Sequence, residues 1–151
     1  MGRKATTDSS MATSVFVDSG AFIARANPGD QHHLEARSGW DKLAASDAFL
    51  LSSEPVLVEA ANFIARSQGG RFASSWLARH LDSKEIRWLQ PGPREFEQAA
   101  ADLARFSDQR VSLTDALSFA LMREHKVSKV FGFDRHFAMA GFSLWPETTA
   151  L

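Results

Sequence analysis

Four acids in this 151-residue chain stand where carboxylates can do chemistry. Asp18 ends the run "SVFVDSG", Glu59 lies inside "VLVEAANFIAR", Asp115 opens "SLTDALSFALMREH", and Asp134 follows "FGF" in "FGFDRHFAMAGF". Each alone has a structural reading. Asp18 and Asp134 can cap the helices that follow them, and Ser112 with Asp115 has the spacing of a capping box. Glu59 needs another account, because it sits in a helix interior beside apolar Val56 and Phe63. There its carboxylate calls for a cationic partner such as Arg66. Glu54 is its rival, but it precedes Pro55 at the helix start, where an acid serves the helix dipole.

Taken together the four suggest more. Acids at strand-to-helix junctions of a parallel sheet lie along one rim, and converging carboxylates raise each other's pKa values. A hard divalent cation, Mg²⁺ or Mn²⁺, relieves that repulsion with oxygen ligands. Carboxylates holding such an ion beside a helix N-terminus suit attack of water on a phosphodiester.

Composition narrows the field. A hydrophobic fraction of 44% and a charged fraction of 23% are those of an ordinary globular chain. There is no cysteine, which excludes disulfides, thiolate nucleophiles and cysteine zinc sites and suits a reducing cytoplasm. No apolar run reaches the about 18 residues of a membrane span, so no membrane role is expected. The net charge of −1 gives no general pull toward nucleic acid. Arg66, Arg71, Arg79, Lys84 and Arg87 do outnumber Asp82 and Glu85 between Ala60 and Gln90, a run best read as a solvated face.

The elements that must position the acids follow from periodicity. Residues 1–13, "MGRKATTDSSMAT", are small and polar and are read as a disordered leader or cloning remnant, with one domain over 14–151. "SVFVDSG", "AFLLSS", "EIRWL", "KVFGF" and "FSLW" read as five strands. Between them, helices are predicted from His32 to Ala44 (Ala36, Trp40, Leu43, with His33 packed on the same face) and from Pro55 (Val56, Leu57, Ala60, Phe63, Ile64). Three more carry the stripes Phe72, Ala73, Trp76, Leu77, His80; Phe96, Ala99, Ala100, Leu103, Phe106; and Leu113, Ala116, Leu117, Ala120, Leu121. "QGGR" and "PGP" punctuate the chain. A short helix "RHFAMA" follows Asp134, with Gly141 at its far end and Phe137 and Phe142 anchoring the turn. Strands alternating with helices imply an α/β fold with a mostly parallel sheet covered on both faces.

"VDSGAFIARANPGDQHHLEA", "VLVEAANFIAR", "SLTDALSFALMREH" and "FGFDRHFAMAGF" resemble, in order, the four signature blocks of PIN domains, and most closely the small stand-alone VapC-like toxins. The resemblance implies a three-layer α/β/α fold on a central five-stranded sheet. It also implies a Mg²⁺- or Mn²⁺-dependent endoribonuclease. Asp18 and Asp115 would be the principal metal ligands, with Glu59 and Asp134 completing the cluster. Ser19 and Thr114 match the family's supporting hydroxyls. Arg135 reads first as an exposed turn residue, one that could reach an RNA phosphate. His136 and His33 are given no ligand role. Gly20 departs from the pattern, standing where a small polar residue is common. A cognate antitoxin and a homodimer are implied as partners. The rival readings are a PIN-type nuclease of RNA maturation or DNA processing, and a non-catalytic binding scaffold. A phosphatase is weaker, since "DSGAF" offers a single Asp.

Overall fold

The computed structural model describes residues 13–147, so the expected leader, Thr13 apart, lies outside the described residues. Five strands form one sheet: β1 (Ser14–Val17), β2 (Phe49–Ser53), β3 (Ile86–Leu89), β4 (Lys129–Phe131) and β5 (Ser143–Trp145). Their order is β3-β2-β1-β4-β5, and every pairing is parallel. Val15, Phe16 and Val17 follow one another in β1 and all are fully buried. Neighbouring side chains of a strand point to opposite faces, so helices cover both sides, as the alternating pattern predicts.

Seven helices lie among the described residues: α1 (Ser19–Ala26), α2 (His33–Ala44), α3 (Glu54–Gln68), α4 (Gly70–Asp82), α5 (Pro93–Arg105), α6 (Leu113–Glu124) and α7 (His136–Met139). Their starts follow local chemistry. Ser53 Oγ accepts from the Val56 N–H, and Pro55 occupies the first turn of α3. Gly92 and Pro93 open α5, where Glu95 Oε1 accepts from the Gly92 N–H at 2.6 Å. Gly69, with φ +95°, turns α3 into α4 where "QGGR" stands.

The core has two aromatic centres. Phe22 meets Trp40, Trp76 and Trp88. Phe119 meets Phe137 edge-on at 5.2 Å and stacks on Phe142, so the two anchors expected for the last turn do hold it. His33 Nδ1 lies 2.7 Å from the Ala24 carbonyl, tying α2 to α1. Phe63, Phe72, Phe96 and Leu113 depart from expectation, because each is 40% or more exposed. They lie at the edges of their stripes, where periodicity alone does not separate a buried position from a bordering one. All five cations of the α3–β3 run are exposed, in line with a solvated face.

Gly39 lets α2 lie close against the sheet, since a Cβ there would sit 2.6 Å from Phe131 Cζ. Phe131 is itself buried between Trp40 and Trp145 and has no room to yield. Overpacking of that kind costs about 1–3 kcal/mol, against about 1 kcal/mol of helix propensity gained from Gly to Ala. Gly39→Ala is therefore expected to lower the urea midpoint; an unchanged or raised midpoint would show that α2 shifts freely.

Candidate active site

The strand order places β2 and β3 on one side of β1 and β4 and β5 on the other. A crevice forms beyond the strand ends at such a switch point. The exits of β1 and β4 stay joined, with the Asp18 N–H donating to the Phe131 carbonyl at 2.9 Å. Gly132 then lies under Asp18, and a Cβ there would be 2.9 Å from Asp18 Cβ. Only a glycine lets the two chains approach so closely. Gly20 is not constrained in this way, as an added Cβ would make ordinary 3.7 Å contacts with Phe133.

Asp18 stands at the N-cap of α1 yet makes no side-chain capping bond, so the capping role does not account for it. It is 3% exposed, and its Oδ1 has no hydrogen-bond partner. Burial pushes its pKa well above the ordinary carboxylate range, and the charges of Asp115, Glu59 and Asp134 push it further, opposed by the Ser19 N–H. Asp115 is also buried, and loss of solvent raises its pKa with help from Asp134 and Glu59, while its bonds to Ser112 oppose the rise. The capping box is real: the Ser112 N–H donates to Asp115 Oδ2 at 3.1 Å, and the Asp115 N–H donates to Ser112 Oγ at 3.0 Å. Asp115 thus caps α6 and faces the cluster at once.

Glu59 does not pair with Arg66. Its Oε2 accepts a short hydrogen bond from Ser19 Oγ, which ties α3 to the start of α1. Asp134 Oδ1 accepts from the His136 N–H at 2.9 Å, so it caps α7 from one residue ahead of the N-cap, Arg135. Arg135 itself is exposed and Thr114 half-buried. Among the described residues, neither Asp18 nor Glu59 has a salt-bridge partner. The four acids therefore gather with their charge uncompensated by arginine or lysine.

One residue given no role in the sequence belongs to the site. His136 Nδ1 lies 3.0 Å from Asp134 Oδ1 and 3.4 Å from Asp115 Oδ2. The distances are those of an ion pair, yet Nδ1 has the direction of a hydrogen bond to neither oxygen. Geometry decides here, and the ring stands beside both acids without being tied to either. Its signal in the sequence was a ligand-type residue two positions after Asp134.

The pattern of the PIN domain family matches residues 15–143. The chain belongs to the PIN-domain family. This PIN domain is 33% identical over 128 residues to the 23S rRNA-specific endonuclease VapC20 of Mycobacterium tuberculosis (strains CDC 1551 / Oshkosh and ATCC 25618 / H37Rv), across 85% of this chain and 95% of that protein. It is 24% identical over 125 residues to Ribonuclease VapC26 of the H37Rv strain, across 82% and 90%. The crystal structure of M. tuberculosis VapC20, described as a sarcin–ricin loop cleaving toxin, matches with a TM-score of 0.77 at 32% identity over 85% of this chain and 95% of that one. VapBC2 of Rickettsia felis, bound to a promoter DNA fragment, matches at 0.64 and 12% identity over 87% and 97%, which shows a shared fold. The α/β fold with its parallel five-stranded sheet is thus that of PIN-type VapC proteins.

The raised carboxyl pKa values fix the sign of a pH effect. Unfolded carboxyls titrate near about 3.9, so the native apo protein binds more protons above that pH. Stability is then fully present below the unfolded value and declines as pH rises through the native pKa values. In EDTA, Asp18→Asn should melt above wild type at neutral pH, with the gap closing toward about pH 4. A variant that melts lower at neutral pH would mean that Asp18 is held by bonds its amide cannot replace.

Proposed function

We propose that this PIN domain is a divalent-metal-dependent endoribonuclease and the toxin of a type II toxin–antitoxin pair. The observation that carries the reading is the buried Asp18 carboxylate, one oxygen of which has no hydrogen-bond partner, set in the field of Asp115, Glu59 and Asp134. Four carboxylates without arginine or lysine fit a Mg²⁺ or Mn²⁺ ion by the chemistry of their donors. Asp18 and Asp115 are the principal ligands in this reading, with Asp134 and Glu59 completing the set. A bound ion supplies Lewis acidity for the phosphoryl oxygens and activates water.

The chain's own groups do the rest. Ser19 orients Glu59 through its hydroxyl. The capping box fixes the Asp115 rotamer, because one carboxylate oxygen is committed to the Ser112 N–H. Gly132 lets Asp18 sit at the exit of β4, beside the segment that carries Asp134. In this reading Thr114, next to Asp115, orients water or a substrate oxygen, and exposed Arg135 takes an RNA phosphate. All four acids being together weighs against a non-catalytic scaffold.

RNA is the substrate in this reading, and 23S rRNA is the first candidate because VapC20 carries that specificity in its name. Val58, Phe96 and Leu113 are exposed and line one groove of about 630 Å³ that also includes Glu59 and Thr114. An apolar wall of this kind suits a protein partner, which supports an antitoxin and a second copy of the chain as partners. None of the described helices is long and apolar enough to cross a membrane. A cytoplasmic toxin formed by one domain over residues 14–151 completes the proposal.

The test incubates ribosomes and deproteinised 23S rRNA with the protein in Mg²⁺, Mn²⁺ or EDTA, beside Asp18→Asn and Asp115→Asn. Discrete cuts that need the ion are expected, falling at least about 10–100-fold in each variant, the loss seen even for outer partners of a metal. Cuts that persist in EDTA, or in both variants, would overturn the reading.

A further inference from the structure

We propose that His136 is a nitrogen ligand of the ion held by Asp115 and Asp134, and that this donor makes the centre favour a first-row transition ion such as Mn²⁺ over Mg²⁺. The proposal rests on the metal-nuclease reading and adds to its ligand set. Ligand atoms of these three residues all lie within 4.8 Å of one another. The two shortest separations are more telling. Adjacent ligands of an octahedral ion with bonds of about 2.1 Å stand about 3.0 Å apart. His136 Nδ1 stands 3.0 Å from Asp134 Oδ1 and 3.4 Å from Asp115 Oδ2. Nδ1 therefore stands from each of the two carboxylate oxygens at about the spacing of neighbouring donors around one ion.

A histidine serving only as a counter-charge would aim an N–H at one of the acids. Here Nδ1 is out of contact with solvent and makes no hydrogen bond. A nitrogen whose lone pair is directed at a shared ion lies off the line to each neighbouring oxygen, which is the relation observed. A second observation that points to a cation is independent of the ring. Asp18 is only 3% exposed, and its Oδ1 is also unpartnered. Its raised pKa includes the charges of Asp115 and Asp134, so it stands within their field.

The fold holds the ring firmly. Phe137, next to His136, is fully buried and packs edge-on against Phe119 at 5.2 Å. Phe119 lies one turn beyond Asp115 on α6. The same aromatic contact thus sets α7 against α6 and brings His136 to the two acids. Imidazole is a softer donor than carboxylate and raises affinity for transition ions more than for Mg²⁺.

The test uses the full chain, with Mn²⁺ and Mg²⁺ titrated separately by calorimetry and the Mn²⁺-loaded protein examined by pulsed electron paramagnetic resonance. His136→Ala and His136→Asn serve as variants, and their apo melting curves report on folding. Wild type should show the ¹⁴N modulation of a coordinated imidazole, and both variants should lose it. Mn²⁺ affinity should fall about tenfold or more, with a smaller loss for Mg²⁺. Mn²⁺ bound by wild type without ¹⁴N coupling, a coupling unchanged in both variants, or equal losses for the two ions would overturn the proposal alone. Binding of neither ion by wild type would instead overturn the metal-nuclease reading, and this proposal with it.

Discussion

Asp18 keeps a buried carboxylate oxygen without a hydrogen-bond partner, facing the charges of three more acids. Burying an unpaired carboxylate is among the most costly things a fold can do, and much of the local structure makes sense as the means of enforcing it. The backbone bond from Asp18 to Phe131 locks the exits of β1 and β4 together. Gly132 removes the side chain that would hold them apart. Because the strand order reverses between β1 and β4, the acids of both exits meet in the same crevice.

The supporting bonds show how the repulsion is contained. Ser19 and Ser112 each hold one acid of the cluster, and the Asp134 carboxylate accepts from the backbone of α7. Each of these bonds orients a carboxylate without neutralising it. Across the aromatic packing below, Phe119 links the helix of Asp115 to the turn of Asp134 and His136. Stability therefore comes from the apolar core and the caps, and the charge imbalance at the rim is left for something outside the chain to settle.

The fold was largely legible in the sequence because its signals are strong and local. Runs such as "SVFV" and "KVF" are short and apolar, and Pro55, Gly69 and Pro93 punctuate the helices where expected. The acids were legible as a set, since each closes or borders an element whose direction periodicity reveals. Their partners were not. That Glu59 takes Ser19 rather than Arg66 depends on how α3 crosses α1, which no spacing along the chain encodes. Whether Asp18 caps α1 depends on its rotamer, and Asp115 turned out to fill both of its candidate roles. His136 passed as a turn residue because its closeness to Asp115 is a contact between distant segments. Phe63, Phe72, Phe96 and Leu113 were read as core because a stripe fixes a direction, while burial depends on what packs at its edge.

The central claim is that these acids are gathered to hold a divalent cation. Crystals grown with Mn²⁺ and measured for anomalous scattering at the manganese edge would test it most directly. The account predicts a peak about 2.1–2.2 Å from carboxylate oxygens of the cluster, with Asp18 Oδ1 turned to the ion or to its water. Acids still gathered in the crystal with no anomalous peak among them, and Asp18 satisfied by protein or solvent alone, would contradict it.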